Sequence, residues 1–360
     1  MADKKVPLSS KRIHRQDTRI NLIMEIQSFI RRLPKAELHL HLEGTIAPAT
    51  LVELSTRHDE TPLTLAQAEA IYQFADFSGF IQGFRSVTQR LIDPADYELI
   101  ATRMMEQLAA QGIVHAEVYI SVGVIYKWRN HAQEAFEPIF AALERARMKA
   151  EGELGLSVYW IFDAVRHFTV DEAARVFDDA ARMRIHSPSV VGIGLGGDER
   201  HTGSAPYAEL FAQATRAGLR LTNHAGETTG AAAIREALAI GSERLGHALS
   251  AIDEPALVAE LRDRQVPLEL NPTSNVRTGL CPSFAAHPLR RLFDAGLLVT
   301  LNSDDPAFFG SDLANEYLLA HTEQGFTRSE LKRLATNSIL ASFLPDREKI
   351  RWCSQIQAVE

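Results

Sequence analysis

The chain has 360 residues, of which 46% are hydrophobic and 23% are charged, proportions typical of a globular protein with a large apolar core. The formal net charge of -8 argues against a general nucleic-acid-binding surface, which requires clustered lysine and arginine. Only Cys281 and Cys353 are present, and no apolar run has the length of a signal-peptide core or a membrane helix. We therefore expect a cytoplasmic protein without a disulfide framework and without nucleic-acid or membrane partners.

The N-terminal residues 1–17 are polar and basic, and they predict a flexible arm outside the folded core. Residues 18–360 contain no Gly-Ser-rich or Pro-rich linker and no internal repeat, which predicts a single domain. Isoleucines recur at helical spacing from Asp17 to Leu33. They predict a helix before the first strand.

The first predicted strand covers residues 37–42, where apolar and polar side chains alternate, and it ends at Gly44. This period of two places His39 and His41 on one face of the strand and the leucines on the other. Two imidazoles one pleat apart can bind the same metal ion. A pair of hydrogen-bonded histidines on a half-buried strand fits the same short pattern.

A long helical region follows the first strand, and it contains the closely spaced aromatic residues Phe74, Phe77, Phe80 and Phe84. The last three share one helical face, which is the usual pattern of a helix packed on the core. Because the region follows the first strand, these side chains would also suit a hydrophobic lid that excludes water from a site at the strand ends.

Seven further short apolar runs predict strands at residues 113–121, 156–162, 190–195, 219–223, 244–247, 266–271 and 297–302. Stretches with helical periodicity separate them, such as residues 132–150 and 170–184. Eight strands alternating with helices predict an α/β fold, a (β/α)8 TIM-type barrel, with extra helices after strand one and at both ends. A doubly wound open sheet is the competing fold, but it would gather its ligand contacts behind only a few strands.

Polar clusters stand directly after several of these strands, and in a parallel barrel the carboxyl ends of all strands meet at one face. His224 follows the fifth strand and Asp304 the eighth. With His39 and His41 they would provide three imidazoles and one carboxylate, a ligand set that suits one Zn²⁺ ion or a similar divalent metal. Such a metal lowers the pKa of a bound water toward neutrality.

Three more titratable residues would stand beside that metal as an acid–base set, namely Glu227, His247 and Asp305. Each cluster alone has a structural alternative, since Asp-Asp-Pro at 304–306 is also typical of a turn and the residues at 224–227 of a helix start. The Gly-rich run at 194–197 also fits a tight turn. Their joint placement at strand ends favours the catalytic interpretation.

Together these motifs resemble the adenosine deaminase family of metal-dependent amidohydrolases. The matching segments occur in the family's order between residues 34 and 345, at 37–44, 195–199, 224–227, 244–247, 271–275 and 303–306. The resemblance implies one zinc ion per chain, held by His39, His41, His224 and Asp304. It also implies hydrolytic deamination of a 6-aminopurine to the 6-oxopurine and ammonia.

By the same resemblance, Glu227 donates a proton to N1 of the purine. His247 positions the attacking hydroxide and accepts its proton, and Asp305 hydrogen-bonds N7. The resemblance further implies a set of substrate contacts beyond these three residues, in which the backbone N–H of one residue contacts N3 and two aromatic residues form a hydrophobic gate. That set comprises Gly197 for N3, Phe74 and Phe77 for the gate, Glu43 on the 5′ side of the sugar, and His41.

The chain departs from adenosine deaminases at two places. Glu43 stands where the family usually has the Asp that contacts the ribose 5′-hydroxyl, and Gly194 and Gly196 replace two residues of Asp-Leu-Ala-Gly-Asp-Glu. The runs at 192–197 and 341–345 are more similar to the bacterial subgroup that includes 6-aminodeoxyfutalosine deaminases, which act on an adenosine-like base with a large 5′ extension in menaquinone biosynthesis. We therefore expect a purine nucleoside substrate, either adenosine or a 5′-modified adenosine.

Two further alternatives stay open. Adenine deaminases share the Glu after His-x-His-Leu, so free adenine is a possible substrate. A metal-dependent esterase or lactonase can be built on the same fold, because a fold alone does not define its chemistry.

Overall fold

The computed structural model describes residues 10–128 and 136–360. Eight parallel strands form one sheet, in which each strand pairs with the next along the chain. The strands are β1 Lys35–His41, β2 Ile113–Ile120, β3 Ser157–Val165, β4 Val190–Gly196, β5 Arg220–Ala225, β6 Arg244–His247, β7 Leu268–Leu270 and β8 Val299–Leu301. The barrel predicted from the sequence is confirmed.

The sheet closes between its first strand and the segment that follows its last. Leu40 and Asp304 form an isolated parallel bridge. His41 N–H donates to the Asp304 carbonyl at 3.0 Å, and Asp304 N–H donates to the His39 carbonyl at 3.1 Å. The backbone of the predicted metal ligands is therefore part of the barrel closure.

Helices surround the strands in the described part of the chain. They are α1 Ser10–Arg32, α2 Pro48–His58, α3 Leu65–Ile71, α4 Phe77–Thr88, α5 Pro94–Ala110, α6 Val122–Trp128, α7 Phe136–Leu154, α8 Val170–Arg184, α9 Ala208–Arg216, α10 Ala231–Ala239, α11 Pro255–Arg264, α12 Pro272–Arg277, α13 Leu289–Asp294, α14 Pro306–Phe309, α15 Leu313–Gln324, α16 Arg328–Ala341 and α17 Asp346–Ala358. The extra helices predicted before β1, after β1 and after β8 are all present.

Two predicted segments extend beyond the described residues. Helix α1 begins at Ser10, so it includes the second half of the predicted N-terminal arm, and residues 1–9 lie outside the described range. Helix α7 covers most of the helix predicted at 132–150, of which residues 132–135 lie outside that range as well. In residues 10–128 and 136–360, no helix combines the length and apolarity that crossing a membrane would require.

The strands are nearly all buried, as expected of a parallel sheet covered by helices. One hydrophobic cluster runs from Ile26 in α1 to Ile356 in α17. The barrel interior also contains buried charge, because Arg244 of β6 forms ion pairs with Glu117 of β2 and Glu269 of β7. This charged layer lies directly beneath the ends of the strands that carry the site.

Candidate active site

The predicted metal ligands converge at the carboxyl ends of the strands. Asp304 Oδ1 lies 3.5 Å from His39 Nε2 and 3.4 Å from His41 Nε2. The rings of His39 and His224 have centroids 4.5 Å apart. Ligand atoms of His39, His41 and Asp304 all lie within 4.8 Å of one another, as do those of His39, His224 and His247. The structure brings all four predicted ligands together.

The donor set fits a divalent metal ion. His39 Nδ1 is 2.8 Å from Glu269 Oε2, whereas His39 Nε2 is buried without a hydrogen-bond partner in the described structure. A carboxylate on one ring nitrogen and an open second nitrogen is the arrangement of a metal-binding histidine, because the carboxylate fixes the ring and raises its basicity. Ser274 Oγ donates to Asp304 Oδ2 at 2.7 Å and orients that carboxylate in the same way.

Two residues of the site have a left-handed backbone conformation, which residues other than glycine rarely adopt. Their φ angles are 62° at His247 and 65° at Asp304. Such conformations cost roughly 1–3 kcal/mol each and persist only where the surroundings enforce them. The barrel-closing hydrogen bonds of Asp304 hold its backbone in this conformation, which directs its side chain into the site.

The predicted acid and base also meet at the cluster. Glu227 Oε1 lies 3.7 Å from His247 Nδ1. Burial raises the pKa of Glu227 well above its usual value, and the negative charges of Asp304 and Glu199 raise it further. Burial lowers the pKa of His247 to about 3. These shifts favour the protonated carboxyl of Glu227 and the unprotonated imidazole of His247, the combination needed for a proton donor beside a proton acceptor.

Glu199 fixes the loop that carries Glu227. Its two carboxylate oxygens accept hydrogen bonds from four consecutive backbone N–H groups, those of Gly226 at 2.6 Å, Glu227 at 2.9 Å, Thr228 at 2.8 Å and Thr229 at 3.3 Å. Such charge-assisted bonds are stronger than neutral ones. The motif at 194–199 is thus more than a turn, because its last residue positions the predicted general acid.

Glycines make room for functional side chains at two points. A Cβ atom on Gly44 would lie 2.0 Å from Asp305 Oδ1, and one on Gly246 would lie 2.6 Å from His39 Cε1. The glycines at 44 and 246 are therefore required where they stand. Asp305 itself is buried beside Asp304, and burial together with that charge raises its pKa well above the usual value.

A cavity of about 360 Å³ opens directly above this cluster. Gly197, with a φ of 87°, and Asp305 line it near the metal ligands. Most of the remaining lining is apolar and aromatic, mainly from α4 and α6: Phe77, Phe80, Ile81, Phe84, Val124, Trp128 and Phe168. Arg85, Thr88, Lys127 and His167 add polar and basic groups to the same wall. The combination of an apolar wall with few convergent polar groups is typical of a small-molecule site.

Two predicted substrate contacts do not line this cavity. Phe74 packs on Phe80 and Phe309, with ring centroids 5.8 and 6.1 Å away. Glu43 is buried and accepts hydrogen bonds from Ser121, from the backbone N–H at 3.0 Å and from the hydroxyl at 3.2 Å. Ser121 lines the cavity, so Glu43 stands one residue behind its surface.

Sequence reasoning missed several residues that support the site. Glu269, which contacts His39, and Asp163, which lines the cavity, are single acids within apolar strands. Asn275 lies in the matching segment 271–275 but was given no role; it donates to His247 Nδ1 at 3.0 Å. An isolated acid at an inward-facing position of a barrel strand is the signal that would have found the first two, because burying such a group is costly without a role.

Comparison with known proteins identifies the family. A family model described as adenosine deaminase matches residues 34–359. Aminodeoxyfutalosine deaminase of Streptomyces avermitilis is 37% identical over 335 residues, which cover 92% of each chain. Adenine deaminase of Rhizobium meliloti is 37% identical over 321 residues, covering 88% of this chain and 97% of that protein.

A solved structure agrees with these matches. The crystal structure of an amidohydrolase from Burkholderia ambifaria with bound zinc has a TM-score of 0.85 and 26% sequence identity, and covers 92% of this chain and 93% of its own. The family is metal-dependent, and the cluster at the strand ends of the present barrel has the donors to hold a metal. The chain belongs to the adenosine deaminase family and is a hydrolytic deaminase.

Proposed function

We propose that this protein catalyses the zinc-dependent hydrolytic deamination of a 6-aminopurine nucleoside that carries a substituent at its 5′ position. The observation that carries the proposal is the convergence of the metal-type cluster, Glu227, His247 and Asp305 at one end of a single cavity. The substrate is a small molecule, as are the substrates for which the two relatives are named.

The roles of the side chains follow from their positions. The metal, when bound, would activate water for attack on C6 of the purine. Glu227, buried at the cavity wall, would donate a proton to N1 and make C6 more electrophilic. His247, 3.7 Å from Glu227, would accept the proton of the attacking water, and Asp305 would hydrogen-bond N7. Gly197 would offer its backbone N–H to N3.

The shape of the cavity favours a substrate larger than the purine. Beyond the polar cluster the cavity continues between α4 and α6, where its wall is mostly apolar and aromatic and also includes Arg85 and Lys127. A 5′ substituent would lie along that wall and gain hydrophobic contact. Aminodeoxyfutalosine, named for the Streptomyces relative, is such a 5′-modified nucleoside, and adenosine is the unextended form. Adenine is the second candidate, because the Rhizobium relative is equally identical in sequence.

A comparison of kcat/KM for aminodeoxyfutalosine, 5′-methylthioadenosine, adenosine and adenine tests the substrate, with loss of the amino group followed by absorbance. We expect the 5′-extended nucleoside to exceed adenine by orders of magnitude. Adenine as the best substrate would contradict the proposed substrate class. No ammonia release from any of the four would instead favour an esterase or lactonase, to be assayed on simple esters and lactones.

The metal needs its own test. Metal content of the purified protein, followed by removal with a chelator and reconstitution with Zn²⁺, Mn²⁺, Fe²⁺ or Co²⁺, identifies the ion that restores deamination. We expect about one zinc per chain and full recovery with Zn²⁺, because three imidazoles and a carboxylate suit that ion. Recovery with another ion alone would refute zinc while leaving the deaminase assignment intact.

A further inference from the structure

A histidine that binds a metal through one ring nitrogen needs a hydrogen-bond acceptor on the other nitrogen, which fixes the ring and its tautomer. For His39 that acceptor is Glu269, at 2.8 Å. His224 also lines the cavity, but its Nδ1 atom is buried without a hydrogen-bond partner in the described structure. The site as it stands lacks the acceptor for one of its predicted ligands.

Asp163 is the matching unpaired group. It lies on β3, its side chain is buried, with 3% of the residue exposed, and it borders the same cavity. Its Oδ1 atom has no hydrogen-bond partner among the described residues. Burying a carboxyl group without a partner is costly, so a buried orphan oxygen and a buried orphan ring nitrogen in one site suggest that the two belong together.

Strand β4, which lies between the strands of Asp163 and His224, leaves space for the two side chains to approach each other. Strand β4 separates β3 from β5, and at this level it presents only glycines toward the barrel interior. A Cβ atom on Gly194 would lie 2.5 Å from Asp163 Oδ1. One on Gly196 would lie 2.8 Å from Asp163 Oδ2 and 3.4 Å from His224 Cε1. Gly196 is therefore a shared neighbour of both side chains.

We propose that Asp163 is a positioning residue whose carboxylate accepts a hydrogen bond from His224 Nδ1 when the metal site is filled. No hydrogen bond joins the two in the structure, and rotation of the two side chains over Gly196 would make it. The pair would then repeat, on the opposite side of the cluster, what Glu269 does for His39. This inference rests on the metal site of the proposed function.

Metal affinity of the apoprotein, measured by competition between Zn²⁺ and a chromophoric chelator, tests the role without any turnover. We expect Asp163→Ala to bind Zn²⁺ about 10–100-fold more weakly than wild type, the usual loss when such a partner is removed. Asp163→Asn keeps an acceptor oxygen and should lose less. Asp178→Ala makes the same change at an exposed position on α8 and should bind like wild type.

Gly196→Ala provides a second variant, which removes no polar group from the chain. Its added Cβ would displace Asp163 Oδ2, so we expect weaker Zn²⁺ binding with a native circular dichroism spectrum. At saturating Zn²⁺, the Asp163 variants should retain nearly the wild-type KM, because the side chain acts through His224 and not on the substrate.

The outcomes separate the two proposals. Wild-type affinity in Asp163→Ala would overturn the positioning role alone, and a raised KM with normal Zn²⁺ affinity would assign Asp163 to substrate binding instead. Failure of the wild-type apoprotein to bind Zn²⁺ or any other divalent ion would overturn the metal site of the proposed function together with this inference.

Discussion

Glu227 combines two properties that a proton donor to a purine nitrogen requires. Its carboxyl group is buried beside the cluster, and burial raises its pKa well above the usual range. Replacing it by the isosteric Gln removes the transferable proton and leaves the predicted metal ligands untouched. We expect Glu227→Gln to reduce kcat by about 10²–10⁴, the typical contribution of general acid catalysis, with unchanged metal content. Near-normal turnover would assign the proton transfer to another group.

The pH dependence of the reaction should follow from the same carboxyl group. A general acid acts only in its protonated form, so activity is retained below the raised pKa of Glu227 and lost as the pH rises through it. At low pH, protons compete with the metal for the histidines. A bell-shaped profile of kcat/KM is therefore expected. The alkaline limb should disappear from the residual activity of Glu227→Gln, and its persistence there would argue against this assignment.

At the scale of single residues, the sequence predicted those whose chemistry is concentrated in a motif. His39 and His41 could be recognised as metal ligands because the period of a strand places them on one face. His224 and Asp304 could be recognised because they lie at or directly after the ends of strands. The supporting residues are different. Glu269 contacts His39 from a strand 230 positions further along the chain, and Asp163 depends on two glycines of another strand. Only folding shows which distant residue faces which.

At the scale of elements, the loop between β5 and α10 carries Glu227, the proposed general acid, and Glu199 from outside the loop holds it in place. Glu199 accepts four of its backbone N–H groups. Glu199→Ala would leave these donors unpaired, at a cost of about 1–3 kcal/mol for each group that stays buried. We expect a lower kcat and a lower stability with an unchanged metal content. Stability is measured by urea unfolding and metal content by elemental analysis.

Glu199→Gln serves as the matched variant for that loop. Its amide oxygen can still accept one or two of the N–H groups, so both losses should be smaller than in the alanine variant. If Glu199→Ala kept the wild-type kcat, the loop would hold Glu227 in position without Glu199. The hydrogen bonds to Glu199 would then contribute to stability alone.

Strands and helices could be predicted from the sequence where their local hydrophobic pattern is clear. All eight strands were found because parallel barrel strands are short, apolar and bounded by helices. Strands β7 and β8 are shorter than predicted, three residues each, because the ladder between them pairs only Leu268–Leu270 with Val299–Leu301. The position of Phe74 away from the cavity could not be read from spacing, since the fold decides which aromatics of one region face the core.

At the scale of the whole molecule, the predicted metal would connect distant parts of the chain. Its ligands lie on β1, on β5 and after β8, where the barrel closes. A ligand that binds only the folded state adds stability as RT ln(1 + [L]/Kd), about 2.7 kcal/mol at a hundredfold excess over Kd. We expect a chelator to lower Tm and added Zn²⁺ to restore it. The Tm of Asp304→Asn should change less on removal and addition of metal. An unchanged Tm in the wild type would show that no bound metal connects these strands.

The buried charged layer beneath the site joins its chemistry to the stability of the barrel. Arg244 is fully buried between Glu117 and Glu269, and Glu269 in turn contacts His39. Burial raises the pKa of Glu117, but the charge of Arg244 and hydrogen bonds from two other neighbours together lower it to about 2. The pKa of Glu269 is lowered as well, because burial is outweighed by Arg244 and His39 together. Both carboxylates are therefore ionised in the native protein, and Arg244 is the cation that compensates them.

Removing that cation should unfold or weaken the barrel in a pH-dependent way. Arg244→Met leaves two buried carboxylates uncompensated, and breaking a buried ion pair typically costs about 3–5 kcal/mol. The lowered pKa of Glu117 means that the wild-type ion pair stabilises the fold above the unfolded-state pKa and is lost only as the pH falls toward about 2. The loss of unfolding free energy in Arg244→Met should therefore be largest near neutral pH and smaller in mild acid, where the carboxyls can protonate.

Urea unfolding of the Met variant and of Arg244→Lys at both pH values measures this effect. Lysine keeps the charge but not the fork that reaches two carboxylates at once, so its loss of stability should be intermediate. Because Glu269 would then be free to turn away from His39, the Met variant should also bind Zn²⁺ more weakly. A pH-independent loss of stability would mean that Arg244 contributes through its packing on the Phe343 ring, 4.1 Å away, and not through its charge.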